Sequence, residues 1–151
     1  MRRGATTVMK WFSAVYVVAI VIQVFLAGEG IFRMNNIKHS DDCDKSGAHC
    51  VANSKTLDAH RAFGSILVLA SIVFLIVALV AWHQNKRIRW VSIVTAVLTF
   101  LQIVLAAAGG WVAGLHPVNA MLVLVLYGWL FYELRREAPE AVTAAAAAPA
   151  G

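Results

Sequence analysis

Four long apolar stretches divide the chain, and charged or polar residues bound each of them. About 20 consecutive apolar residues of α-helix are needed to cross the hydrocarbon core of a bilayer. Tryptophans, which are favoured at the membrane interface, lie near the ends of these stretches at Trp11, Trp82, Trp90 and Trp129. The pattern predicts membrane-spanning helices at about residues 11–32, 62–82, 90–115 and 117–132, with an outer loop at 33–55.

Composition supports a membrane protein over a soluble one. Hydrophobic residues make up 60% of the 151 residues and charged residues 14%, whereas about a quarter of a soluble globular domain is charged. The mean hydropathy of +0.72 also excludes a disordered chain. The net charge of +5 is explained by basic residues at the span ends rather than by a nucleic-acid partner, so we predict no nucleic-acid binding.

The basic residues also predict an orientation, because Lys and Arg are enriched on the cytoplasmic side. The side with fewer of them carries Arg33, Lys38, Lys45, Lys55 and Arg61. The side that holds both termini carries Arg2, Arg3, Lys10, Lys86, Arg87, Arg89, Arg135 and Arg136. We therefore predict a multi-pass protein of the bacterial inner membrane with both termini in the cytoplasm. Residues 1–137 would form the transmembrane domain, and the Ala-rich residues 138–151 a disordered tail.

The two halves of the chain resemble each other. The first predicted span contains Gln23 and the third contains Gln102, each followed by small residues, and a histidine opens each returning span, at His60 and His116. This placement predicts an all-α, four-helix up-down bundle built from an internal two-helix repeat. The small residues beside each glutamine either let helices pack closely or leave room for a flat ligand.

The two histidines are the strongest candidates for chemistry. Neutral imidazole is a good iron ligand, and helical bundles hold such cofactors in their cores. An ionisable residue within a span is a functional hypothesis by default, although a histidine at a span's first residue can also face interfacial water. We predict that His60 and His116 ligate the iron of a haem of b-type or a related type. Arg61 would contact the propionates or extend to the lipid headgroups, and Gln23 and Gln102 would line the same site.

The outer loop contains both cysteines of the chain, Cys43 and Cys50. A disulfide is favoured there because the outer compartment is oxidising. The alternatives are a metal site with His39 and His49, whose spacing matches no common zinc signature, and a redox-active pair without the usual Cys-x-x-Cys spacing.

These features together resemble one half of haem A synthase, over about residues 11 to 133. That family has eight spans in two similar four-helix bundles, each with a histidine pair near the outer face, and many bacterial members have an outer cysteine pair. The chain is also similar to small uncharacterised bacterial four-helix membrane proteins. The family's catalytic glutamate lies three residues before its first histidine, where this chain has Leu57. The resemblance therefore implies the haem ligands but not the hydroxylating chemistry. The residues that carry it are Gln23, Gly28, Gly30, Cys43, Cys50, His60, Arg61, Gln102 and His116.

Two functions follow as hypotheses. The first is a haem-binding membrane protein that transfers electrons or handles haem at the outer leaflet, with a homodimer or a larger membrane redox complex as its setting. The second is a membrane subunit or assembly partner that has no enzymatic activity and no cofactor. Transport of an ion is disfavoured because the predicted spans have no charged residue near the midplane.

Overall fold

The computed structural model describes residues 2–40, 43, 48–53 and 55–146, and all regular secondary structure in that part of the chain is helical. The apolar stretches form helices because every backbone polar group must find its partner within the segment when no water is present. The helices are α1 (Arg2–Lys38), α2 (Ala48–Asn53), α3 (Asp58–Ala81), α4 (Lys86–Ala107), α5 (Gly110–Ala113) and α6 (Leu115–Ala146).

Four helical segments are long and apolar enough to cross a membrane, which confirms the prediction of a multi-pass membrane protein. Large apolar side chains on these segments face outward, including Val15 (67% exposed) and Leu69 (65% exposed). Such surfaces are unusual in a water-soluble monomer and suit a lipid bilayer. The four segments are Gly4–Lys38, Asp58–Ala81, Lys86–Ala107 and Gly110–Arg136.

Several helix ends differ from the sequence prediction, and α1 continues to Lys38, into the predicted outer loop at 33–55. The third span was expected to continue to residue 115, but α4 ends at Ala107. The chain breaks there because Gly109 (φ 69°) and Gly110 (φ 54°) both adopt left-handed backbone conformations, which glycine tolerates far better than other residues. At the other end, α6 continues to Ala146 into the predicted disordered tail. Alanine has the highest helix propensity. The rest of that tail, residues 147–151, lies outside the described residues.

The chain forms two compact units, one of residues up to 18 and from 68 onward, the other of residues 19–67. In the first unit α4 packs against α6. An aromatic cluster of Phe12, Tyr16, Phe74 and Tyr127 forms its interior, with the rings of Tyr16 and Tyr127 stacked at 4.2 Å between centroids. The ring centroid of Phe74 lies 5.2 Å from that of Phe12 and 5.2 Å from that of Tyr127. Stacked and edge-on aromatic pairs add stabilisation beyond the area they bury.

Three buried hydroxyls of the first unit form hydrogen bonds within their own helices. Ser13, Ser92 and Thr99 each donate a hydrogen bond to the carbonyl four residues earlier in the same helix. These bonds give each hydroxyl an acceptor within its own helix. Small side chains at these positions allow close approach of helices in lipid.

Asn119 supplies a hydrogen bond between α6 and α4, because its Nδ2 donates to the Leu98 carbonyl at 2.8 Å. Only 8% of this residue is exposed. Interhelical hydrogen bonds of this kind contribute about 0.6 kcal/mol on average and up to about 1.7 kcal/mol. We expect Asn119→Leu to lower the free energy of unfolding by an amount in that range, as measured by thermal unfolding in detergent. The same measurement on Gln84→Leu, at an exposed turn position, should show no change.

The second unit holds the C-terminal half of α1, helix α2 and the start of α3. Gly30 of α1 lies against the turn before α3 so closely that an added Cβ would be 2.7 Å from the Thr56 carbonyl oxygen and 2.6 Å from Leu57 Cδ2. Cys43 and Cys50 form the predicted disulfide, with Cα atoms 5.9 Å apart.

Candidate functional site

His60 and Gln23 form a two-way contact in the second unit. The Gln23 side-chain Nε2 donates to the His60 carbonyl oxygen at 2.9 Å. The His60 ring Nδ1 lies 3.2 Å from the Gln23 carbonyl oxygen. His60 is the third residue of α3, and Gln23 lies in the middle of α1. Both residues are half-buried, so the contact joins the two helices of this hairpin with a pair of hydrogen bonds.

His116 and Gln102 form the same kind of contact in the first unit. The His116 Nδ1 lies 3.1 Å from the Gln102 carbonyl oxygen. In the amide orientation that satisfies both of its polar atoms, Gln102 Nε2 lies 3.0 Å from the His116 carbonyl oxygen and from His116 Nδ1, and Oε1 accepts from the Ala120 backbone N–H at 2.8 Å. His116 is the second residue of α6 and is followed by Pro117, a residue that suits the first turn of a helix.

Each contact bears on the protonation of the imidazole ring. A backbone carbonyl oxygen can only accept a hydrogen bond, so the contact to Nδ1 is a hydrogen bond when Nδ1 carries the proton. In the neutral ring the lone pair then lies on Nε2. Histidines that ligate metals almost always donate their other ring N–H to a carbonyl, carboxylate or water. The setting of His60 therefore fits a metal ligand. At His116 the Gln102 carbonyl suits the same tautomer, whereas Gln102 Nε2, 3.0 Å from Nδ1, would donate to the other tautomer.

The two contacts differ in how well the glutamine is satisfied. Both polar atoms of the Gln102 amide make hydrogen bonds, whereas the buried Gln23 Oε1 has no hydrogen-bond partner among the described residues. Gly64 stands four residues after His60, as Ala120 does after His116. A Cβ at Gly64 would lie 2.8 Å from Gln23 Nε2, so a side chain there would displace the end of the Gln23 side chain.

This difference predicts unequal effects of removing the two amides. We expect Gln102→Leu to destabilise the protein by about 1–2 kcal/mol, because two hydrogen bonds are lost. Gln23→Leu should cost less, because it also removes an unsatisfied buried oxygen. Thermal unfolding of both variants in detergent checks the order. Equal losses, or a larger loss for Gln23→Leu, would show that the second amide bond does not form.

Arg61 lies beside His60 in sequence at the start of α3. Its guanidinium is 3.7 Å from the Asp58 carboxylate, and its side chain is 72% exposed. Glu29 forms an ion pair with Arg33 one helical turn further along α1. Arg61 therefore remains an accessible cation near His60.

The disulfide decides between the readings of the outer loop. Because Cys43 and Cys50 are bonded to each other, they supply no thiolate for a metal site with His39 and His49. Across residues 2–40, 43, 48–53 and 55–146, no group of three or more His, Cys, Asp or Glu side chains is arranged to hold a metal ion. A pair of histidines is smaller than such a group.

The orienting role of the two glutamine carbonyls was not part of the sequence prediction. The sequence pointed to the Gln23 and Gln102 side chains as lining residues for a cofactor, whereas the structure shows each of them contacting its histidine directly. The repeated order of glutamine and histidine was the available signal, since it placed both pairs at matching points of the two halves.

Comparison with known proteins gives one partial match. A family model described as a family of unknown function (DUF6220) matches residues 51–109, which is less than half of the chain. The matched region includes His60, Arg61 and Gln102 but not Gln23 or His116. No curated protein and no solved structure matches the chain.

Proposed function

We propose that this chain is a haem-binding integral membrane protein in which His60 and His116 provide the axial ligands of a b-type or related haem. The observation that carries the proposal is the hydrogen-bonded setting that the two histidines share. In both hairpins Nδ1 faces a glutamine carbonyl, at 3.2 Å and 3.1 Å. When Nδ1 carries the proton, this contact is a hydrogen bond and the lone pair of Nε2 can bind iron.

The positions of the histidines also support the proposal. Each lies in the first turn of an apolar helix and is half-buried. Ionisable residues in membrane spans are rare and mark functional sites by default, because burying them is costly. Arg61, with its exposed guanidinium, would bind the propionates of the haem, since arginine suits carboxylates.

A haem held by His60 and His116 would have two protein ligands, which would favour electron transfer over oxygen activation. A bound haem would supply a one-electron redox centre. The chain's own residues hold the ligands in place: the Gln23 and Gln102 amides bond the histidine backbones, and the glutamine carbonyls orient the rings. Electron transfer or haem handling at the outer leaflet is the corresponding role.

The proposal includes the topology predicted from sequence, an up-down bundle of two duplicated hairpins with both termini in the cytoplasm of the bacterial inner membrane. Cations on that side lie over aromatic rings near the span ends, a usual arrangement for interfacial anchors. The Arg89 guanidinium is 4.4 Å from the Trp82 ring centroid, and the Lys10 ammonium is 5.2 Å from that of Trp11. The chain resembles only one half of haem A synthase. We therefore propose that it works as a homodimer or as part of a larger membrane redox complex.

Purification from haem-replete cells tests the proposal. The full chain, extracted in a mild detergent, should be coloured and should give a reduced-minus-oxidised visible spectrum with the bands of a six-coordinate haem. Haem added to the colourless fraction should restore the same bands at saturation. A protein that stays colourless after both treatments would contradict the proposal and favour a membrane subunit without a cofactor, in which the glutamine–histidine contacts only join helices.

A further inference from the structure

A groove lies between the end of α1 and the turn before α3, within the second unit. Its volume is about 540 Å³, and it is lined by Arg33, Asn36 and Ile37 on one wall and by Lys55 and Thr56 on the other. The close contact of Gly30 with Thr56 and Leu57 holds the two walls together at the groove's inner end. Residues of this groove take no part in the proposed haem site.

The groove is at the level where a membrane's headgroups begin. The exposed apolar side chains Ile31 (60%) and Phe32 (66%) come directly before Arg33 in α1, so the apolar part of this span ends where the groove starts. On the other wall, Lys55 and Thr56 precede the first residue of α3, the next apolar helix. A ligand in the groove would therefore have its polar part beside the cations and any acyl chain beside Phe32.

The lining chemistry suits a phosphate group. A guanidinium and an ammonium supply positive charge, and the Asn36 amide supplies a neutral donor. The ion pair of Arg33 with Glu29 uses the guanidinium Nε, while the other guanidinium donors are on the two Nη atoms. Glu29 itself does not line the groove. Basic side chains at the membrane surface each add about 1 kcal/mol of attraction to anionic lipid.

We propose that this groove binds the phosphate headgroup of an anionic phospholipid of the surrounding leaflet. The combination of cations and donors in the groove with apolar side chains one turn before it fits an amphiphile better than a free anion. Binding there would tie the end of α1 to the start of α3 through one lipid.

The test compares lipids of different charge on the intact protein. The full chain is placed in nanodiscs of phosphatidylcholine with a stepwise fraction of phosphatidylglycerol, and thermal unfolding is followed together with lipid retention by native mass spectrometry. We expect a rise in Tm and retained phosphatidylglycerol. Arg33→Gln with Lys55→Gln should weaken retention about thirtyfold, and each single substitution about fivefold.

Two matched variants and one competitor complete the design. Arg33→Lys with Lys55→Arg keeps the charges and should keep retention. Lys86→Gln with Arg87→Gln removes two exposed charges at the start of α4 and should leave retention unchanged. Equal retention by the wild type and the Arg33→Gln, Lys55→Gln variant would overturn the proposal, as would an equal loss in the α4 variant. If inorganic phosphate at millimolar concentration displaced the lipid, the groove would be a free-anion site instead.

The double glutamine variant changes only exposed side chains, so folding should be retained and circular dichroism checks this. If the double variant does not fold, Lys55→Gln alone decides the outcome, because Lys55 makes up one wall and lies outside the long helices.

Discussion

Alanine in place of His60 or of His116 should remove haem from the purified protein. Changes in the groups that merely orient a metal ligand already weaken metal binding by 10–100-fold. Loss of the ligand itself should therefore reduce haem retention by about 100-fold or more. The haem-to-protein ratio, measured on variants expressed in the same haem-replete cells, checks the expectation for each histidine separately.

The control for these variants is His83→Ala. His83 is also half-buried, but it lies in the turn between α3 and α4, where its Nδ1 accepts from the Asn85 backbone N–H at 3.2 Å. Haem content should not change in this variant. If His60→Ala and His116→Ala both retained the wild-type ratio, or if His83→Ala lost haem equally, neither His60 nor His116 could be assigned as an iron ligand.

Alanine at Gly30 should give the largest loss of stability among single substitutions in the second unit. The added Cβ would lie 2.7 Å from the Thr56 carbonyl oxygen, and a backbone atom cannot move aside as the end of a side chain can. Overpacking of this kind typically costs about 1–3 kcal/mol. Thermal unfolding in detergent should show the loss, and limited proteolysis should show faster cleavage of the segment between α2 and α3.

Gly28 supplies a matched control two residues earlier in the same helix. A Cβ at Gly28 would meet no atom within 4 Å, and alanine is the better helix former by about 0.5–1 kcal/mol. Gly28→Ala should therefore leave stability unchanged or raise it slightly. Similar losses at both positions would mean that the contact between Gly30 and the turn does not hold α1 against α3.

Much of the fold follows from hydropathy alone. Four segments long enough to span a bilayer can be counted from the sequence, because lipid requires helices whose backbone bonds are internal. The disulfide could also be predicted, since Cys43 and Cys50 are the only cysteines and lie together in a predicted outer loop. Helix ends were harder to place, because hydropathy does not change where α4 stops.

The break after Ala107 shows why hydropathy did not predict the end of α4. Residues 103–115 are almost continuously apolar or small, so the pattern extends the third span through them. The backbone turns at Gly109 and Gly110 because these residues accept positive φ, and a sequence of adjacent glycines allows such a turn without requiring it. Gln102 and the small residues Gly109 and Ala113 that follow it therefore do not lie on one continuous helix.

Contacts between residues that are distant in sequence could be predicted only in part. The order of glutamine and histidine in the two halves drew attention to four residues that contact each other in pairs, but not to the backbone carbonyls that face the rings. The groove beside Arg33 and Lys55 depends on how the turn before α3 meets Gly30. That contact depends on packing between segments separated in sequence, so no local sequence pattern predicts it.

The spin state of the oxidised iron tests the central claim most directly. Electron paramagnetic resonance of the purified protein should give the signal of low-spin ferric haem, because two imidazoles fill both axial positions. In His60→Ala and in His116→Ala, any haem that remains should give a high-spin signal. A wild-type protein without haem, or a low-spin signal that persists unchanged in both variants, would contradict ligation by this histidine pair.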